Sequence, residues 1–189
     1  VVGSDTLIDY IRRVRRDRNV RAIVLRVDSP GGSASASDAL WRELMLAKKE
    51  RADRPIVVSM SDLAASGGYY IALPAEAIVA QPATLTGSIG IYGGKFATGG
   101  LYEKLGGRVD AVSDGKRAQM NSPLRAFSAD ERGELQQQLQ VFYDDFVKKV
   151  AESRHSTPEK IGAIAQGRVW TGRQALQNGL VDALGGLST

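Results

Sequence analysis

Ser66 is the residue best placed to do covalent chemistry. It stands in Ala64-Ala65-Ser66-Gly67-Gly68-Tyr69-Tyr70. Before it lies the apolar run Pro55-Ile56-Val57-Val58-Ser59-Met60, which reads as a short buried strand, and after it Tyr69 to Leu73, which reads as a short helix. Loops at strand-to-helix turns of α/β proteins commonly carry function. The N–H of Gly67 would be free at the helix N-terminus, where negative charge is favoured, and could form half of an oxyanion hole. The same stretch also reads as a tight packing turn whose hydroxyl caps the helix. A second glycine turn, Asp28-Ser29-Pro30-Gly31-Gly32-Ser33, closes the strand pattern Arg21–Val27. Gly31 and Gly32 could aim backbone N–H groups at an oxygen and complete the hole, or could serve only as a flexible turn.

Composition narrows the choice of base. The 189 residues contain no cysteine and one histidine, which excludes disulfides, a thiol nucleophile and cysteine-ligated metals, and leaves a zinc or iron site little but carboxylates. That histidine, His155, falls in Ser153-Arg154-His155-Ser156 at the end of a long helical pattern, where a surface histidine is the plainest reading. A Ser-His-Asp triad would depend on it entirely. A lysine whose ammonium form is disfavoured by burial is the better partner for a serine nucleophile.

The elements that must position these turns follow from periodicity. A helix over 5–17, the strand 21–27, a helix from Ser35 to about Arg51 and the strand 55–60 make a βαβ unit with parallel strands. The Gly31-Gly32 and Ser66 turns then both lie at strand carboxyl ends, where open α/β sheets form their ligand crevices. Further along come a strand 77–80, a glycine-rich turn and strand 81–94, and a helix Phe96–Leu105 stopped by Gly106-Gly107. A strand 108–113 and a polar loop 114–127 follow. Ser128-Ala129-Asp130-Glu131 is a capping box that opens a long amphipathic helix to about Arg154. Thr157-Pro158 starts another helix, and Val169-Trp170, a helix 171–178 and Gly179–Asp182 finish the chain. The length suits one domain, 1–189, and the abrupt start at Val1 suggests a fragment of a longer chain. The apolar content of 43% supports a real core, and the net charge of +4 is modest. The basic cluster Arg12–Arg18 reads as the solvated face of an amphipathic helix; without interleaved aromatics it does not indicate nucleic acid. There is no signal peptide and no apolar run of membrane-spanning length.

Four motifs in order resemble the signal peptide peptidase A family. They are Ala22–Gly32, Ala64–Tyr70, Thr84-Leu85-Thr86-Gly87-Ser88-Ile89-Gly90-Ile91, and the tail Gly167–Gly172 with Asn178–Asp182; together they cover nearly the whole chain. The stretch Ser153–Glu159 is most similar to the C-terminal half of long, two-repeat bacterial members. The resemblance implies an α/β fold of the ClpP/crotonase type, a spiral of βαβ units with a C-terminal helical extension. It implies a membrane-associated serine protease with a Ser-Lys dyad and no cofactor: Ser66 as nucleophile, Gly67 with Gly31 and Gly32 as oxyanion donors, and Ser88 orienting the lysine.

The resemblance leaves the lysine itself divided. Aligning on Ser122-Pro123 puts Ala118 at its place; aligning on Ser128 and Arg132 puts Lys116 there. In long members the base comes from an N-terminal repeat, which this chain would lack. Lys95 and Lys104 fall on other elements. Substrates would be apolar peptides such as cleaved signal peptides, held near Leu63, Ala64 and Ile91. The implied setting is the bacterial inner membrane, with the catalytic domain on the periplasmic side and the anchor elsewhere. The implied assembly is a homo-oligomer, for which Leu135, Leu139, Phe142, Phe146 and Val150 on the long helix supply an apolar stripe. Two other readings stay open: a crotonase-type acyl-CoA enzyme, with Asp62 its only nearby acid, and a noncatalytic oligomerisation repeat.

Overall fold

The computed structural model describes residues 2–189. Its elements in order are α1 (Ser4–Arg16), β1 (Ile23–Ser29), α2 (Ala34–Glu50), β2 (Ile56–Ala65), α3 (Gly67–Tyr70), β3 (Ala77–Ala80), β4 (Leu85–Gly87), α4 (Gly99–Lys104), α5 (Ala129–Ser153), α6 (Pro158–Ile164), β5 (Val169–Thr171), α7 (Gly172–Gln177) and β6 (Ala183–Leu184). The described residues fall into two compact units, residues 2–90 with 145–189, and residues 91–144.

The sheet belongs to the first unit, and β2 is its hub. The early residues of β2 pair in parallel with β1, from Ile23↔Ile56 to Val27↔Met60, and with β3, from Val57↔Ala77 to Ser59↔Val79. Its last three residues pair in parallel with β4, from Leu63↔Leu85 to Ala65↔Gly87. β6 extends the sheet beyond β3 in parallel, and β5 closes the β4 edge antiparallel. The result is a mixed, curled sheet with the βαβ unit at its start. β2 runs five residues past the expected end at Met60, because pairing with β4 carries it through the polar Ser61-Asp62. Its apolar interior residues, Ile56, Val58, Met60 and Ala64, are buried with Ile78, Ile89 and Leu180.

α1 lies on α2 through charge as well as apolar packing. Glu43 of α2 is buried and accepts from Arg12 (3.1 Å) and Arg15 (2.7 Å), so part of the basic cluster is consumed in structure. Arg54 is 1% exposed and closes the same corner. Its guanidinium donates to the carbonyls of Val14, Arg15 and Ala47, the orphan acceptors near the ends of two helices. Nothing in the periodicity announces this role.

The carboxyl end of the first unit is pinned by Asp182. Its backbone N–H donates to Ile78 O at 2.8 Å, and its carboxylate accepts from Ile78 N at 2.7 Å and from the Arg154 guanidinium. Burial alone would raise this carboxyl, but the hydrogen bonds from Arg154 and Ile78 and the charge of Arg154 outweigh it and hold it below the ordinary carboxylate range. A carboxyl depressed in the folded state stabilises the fold above its unfolded pKa of about 3.9, and that stabilisation disappears as pH falls through the folded value. Asp182→Asn is therefore expected to lower stability near neutrality by on the order of 1 kcal/mol, solvent screening allowed for. Melting temperatures from pH 7 to pH 2 should show the gap between the two proteins closing below about pH 4; a gap of constant size would refute the assignment.

The second unit holds α4, the start of α5 and long connecting segments. α4 is shorter than the expected 96–105 because Thr98 N–H donates to Pro123 O at 2.7 Å and the chain turns into the helix only at the Gly99-Gly100 pair. Residues 108–113, expected as a strand, have no ladder partner among the described residues and are exposed throughout. Lys95 is committed to structure, donating to Met120 O and Ser122 O over the Phe127 ring. The expected stripe on α5 divides: Phe146 and Val150 are buried in the first unit, while Leu135, Leu139 and Phe142 in the second are half-buried. Among the described residues no helix is long and apolar enough to cross a membrane.

Candidate active site

The end of β2 places Ser66 between a strand and a helix in a backbone conformation that side chains avoid. Its φ of 53° and ψ of −119° lie in the mirror image of the extended region, which glycine occupies freely and other residues enter only under strain. Ser66 is held there by Ser66 N–H to Gly87 O at 2.9 Å and by Tyr70 N–H to Ser66 O at 2.9 Å. Its side chain makes no capping hydrogen bond to α3, so the capping alternative does not describe this turn. Gly67 is the first residue of α3, and its N–H has no acceptor within that helix.

The Gly31-Gly32 turn at the end of β1 packs directly on Ser66. Gly31 has φ +102°, and a methyl placed on it would lie 2.7 Å from Gly67 N and 2.8 Å from Ser66 Cβ. Likewise a carbon on Gly67 would lie 3.3 Å from Gly32 N and 2.4 Å from Ser37 Oγ. Only glycine permits this approach of two backbones. The N–H of Gly31 is already given to Ser29 Oγ at 3.1 Å, which leaves Gly32 and Gly67 as the neighbouring donors at the serine. Ser37, whose Oγ donates to Ser33 O, forms the wall behind Gly67; its place in the first turn of α2 carried no sequence signal.

Ser88 enters by register. Ala65 pairs with Gly87, so Ser66 and Ser88 each follow one partner of the same pair, and Ser88 also has positive φ, 49°. Its N–H donates to Arg168 O at 2.8 Å. Leu63 is half-exposed, Asp62 is exposed, and Ala64 is fully buried, its carbonyl accepting from Thr86 Oγ1 at 2.7 Å. Ile91 begins the second unit.

α3 is short and is steadied by the two tyrosines that end it. Tyr69 is fully buried and donates to Leu180 O at 2.7 Å; burial pushes its hydroxyl pKa well up. Tyr70 donates towards Asp38 (2.9 Å) and Asp145 (3.3 Å), with Lys149 bonded to both carboxylates and lying over the Trp41 ring at 4.5 Å. Burial disfavours the Lys149 ammonium, but Asp145, Tyr70 and Asp38 outweigh that and hold it charged, which suits an anchor and not a base.

The other titratable candidates lie in solvent. Lys116, in the second unit, has a side chain 78% exposed and pairs with Asp130 at 3.3 Å. Arg117 and Lys116 together depress Asp130 to about 2. His155 is exposed and ends α5 in the left-handed conformation, φ 49°, with Ser156 N–H returning to Ala151 O. It is a helix terminator.

A strained serine at a strand-to-helix turn, with backbone N–H groups beside it, is an arrangement that a serine nucleophile would require. Residues 48–189 match the sequence profile of Peptidase family S49, and the chain belongs to that family. It is 45% identical over 186 residues to the chloroplastic serine protease SPPA of Arabidopsis thaliana, covering 98% of this chain and 27% of that protein. It is 47% identical over 184 residues to Protease 4 of Salmonella typhi, covering 97% and 29%. Thus it spans under a third of the length of these two relatives. A putative signal peptide peptidase SppA of Enterococcus faecium is 36% identical over 183 residues, 97% of this chain and 53% of that one. Among solved structures, a mutant of the 1510-N membrane-bound stomatin-specific protease shares the fold, with TM-score 0.62 and 18% identity over 96% of this chain and 72% of that one.

Proposed function

We propose that this chain carries the nucleophile of a serine endopeptidase that degrades apolar peptides such as cleaved signal peptides, on a ClpP/crotonase-type spiral. The observation that carries the reading is the mirror-image backbone of Ser66, a strain of about 1–3 kcal/mol that persists where the surroundings impose it and that clusters at active sites. Ser66 Oγ attacks the scissile carbonyl and a neutral lysine takes its proton. The oxyanion of the tetrahedral intermediate accepts hydrogen bonds from Gly67 N–H and Gly32 N–H. Collapse expels the amine, which receives the proton, and leaves an acyl group on Ser66. Water, deprotonated by the same lysine, then releases the acid and regenerates the hydroxyl. Ser88, beside Ser66 in register, accepts a hydrogen bond from the lysine and orients it. Substrate side chains on this strand meet Leu63, since the Ala64 methyl faces the core.

A lysine acts as base only when desolvated, and Lys116 is exposed and ion-paired. We therefore assign the base to a lysine outside the chain, in an N-terminal repeat of a longer membrane-anchored protein whose peptidase part faces the periplasm. The chain alone is then expected to hydrolyse a fluorogenic peptide barely or not at all, and Lys116→Ala in the longer protein is expected to leave turnover unchanged. Robust hydrolysis by the chain alone that vanishes with Lys116→Ala would move the base to Lys116.

A further inference from the structure

Residues 108–113, Arg-Val-Asp-Ala-Val-Ser, have the composition of a strand and none of its pairing. Val109 is 52% exposed, Val112 103% and the preceding Leu105 75%, and no backbone hydrogen bond is formed by 108–114 among the described residues. An unpaired segment of this kind presents a free row of N–H and C=O groups and a template for another strand. Its own sequence says which strand fits. If two copies run antiparallel with Val109 opposite Val109, Arg108 of each faces Asp110 of the other, twice over. The same register sets Gly107 against Ala111 and Gly106 against Val112, so each exposed valine meets either a valine or a glycine that leaves it room. Cross-strand pairs of opposite charge and of β-branched residues are the contacts that stabilise such ladders, and an interface in which residue i meets j and j meets i is what a two-fold axis generates.

We propose that residues 107–113 form an edge strand that pairs antiparallel with the same segment of a second copy of this chain, in the register centred on Val109. The proposal concerns assembly and stands independently of the peptidase reading. The self-complementary charges favour a second copy over an unrelated peptide, which would need to carry both charges in the same order.

The chain has no cysteine, so a single introduced one reports the register without interference. Opposite residues in antiparallel strands have Cα atoms about 4.5–5.5 Å apart, inside the roughly 4.4–6.8 Å that a disulfide spans. Val109→Cys is therefore expected to give a covalent dimer under mild oxidation. Val112→Cys is expected to give little, because two copies of residue 112 would stand six residues apart along the ladder, about 20 Å. Light scattering is expected to report at least two chains of 20.3 kDa for the parent and a single chain for Arg108→Asp or Asp110→Arg. The exchanged pair Arg108→Asp with Asp110→Arg should restore the assembly. Monomer mass for the parent at high concentration would overturn the proposal. So would equal cross-linking at 109 and 112, or an assembly indifferent to the single charge reversals.

Discussion

Ser66→Ala, made in the protein that carries both nucleophile and base, is expected to lower peptide hydrolysis by on the order of 10⁴–10⁶-fold, with loss of labelling by a fluorophosphonate probe. Removing the nucleophile abolishes the acyl-enzyme, and the oxyanion donors alone sustain only a residual rate. Stability should hardly change, because the Ser66 side chain makes no capping bond and alanine at that φ and ψ is as strained as serine. Ser66→Gly separates function from fold more sharply. Glycine relieves a strain of about 1–3 kcal/mol at a cost of about 0.5–1 kcal/mol in unfolded-chain freedom. The glycine variant is therefore expected to be equally inactive and about 1 kcal/mol more stable. An inactive variant that is also stabilised shows that the conformation is maintained for chemistry. Retained hydrolysis in the alanine variant would remove Ser66 from the mechanism, and a destabilised glycine variant would remove the strain argument.

The second large effect is expected at Gly31, which does not touch substrate in this account. A methyl at Gly31 meets Gly67 N at 2.7 Å, Ser66 Cβ at 2.8 Å and Ala65 O at 3.0 Å, all on the Ser66 turn. No flexible side chain can yield there, so the two turns must separate. The φ of +102° adds conformational strain of its own. Separation moves Gly32 N–H away from Gly67 N–H, and loss of one oxyanion donor costs about 10²–10³-fold in kcat. Gly31→Ala is expected to show that fall in kcat with KM little altered, because the donors act on the developing oxyanion and not on the bound peptide. A fall confined to KM would place the Gly31-Gly32 turn in substrate binding instead.

Much of this site could be read from the chain because its signals are local. The glycine pairs, the apolar runs before them and the βαβ order already put Ser66 and Gly31-Gly32 at neighbouring strand ends, and β1 and β2 do pair in parallel. What stayed hidden depends on distant partners. β2 continues through Ser61-Asp62 because β4 lies beside it, and β6 is two residues long and exists only by pairing with β3. The commitment of Gly31 N–H to Ser29, the wall formed by Ser37 and the anchoring of α3 by Asp38, Asp145 and Lys149 are all tertiary. The strand expected at 108–113 failed for the converse reason: its propensity is local, but a ladder needs a neighbour, and none is described. The strain at Ser66 was invisible because the sequence shows a serine where geometry alone would ask for glycine.

Ser66 is the proposed nucleophile. The most direct test is to react the catalytically competent protein with a fluorophosphonate and locate the adduct by mass spectrometry of the digested chain. One phosphonyl group is expected, carried on Ser66 and absent from the Ser66→Ala protein. An adduct on another residue, or undiminished labelling of the alanine variant, would contradict it.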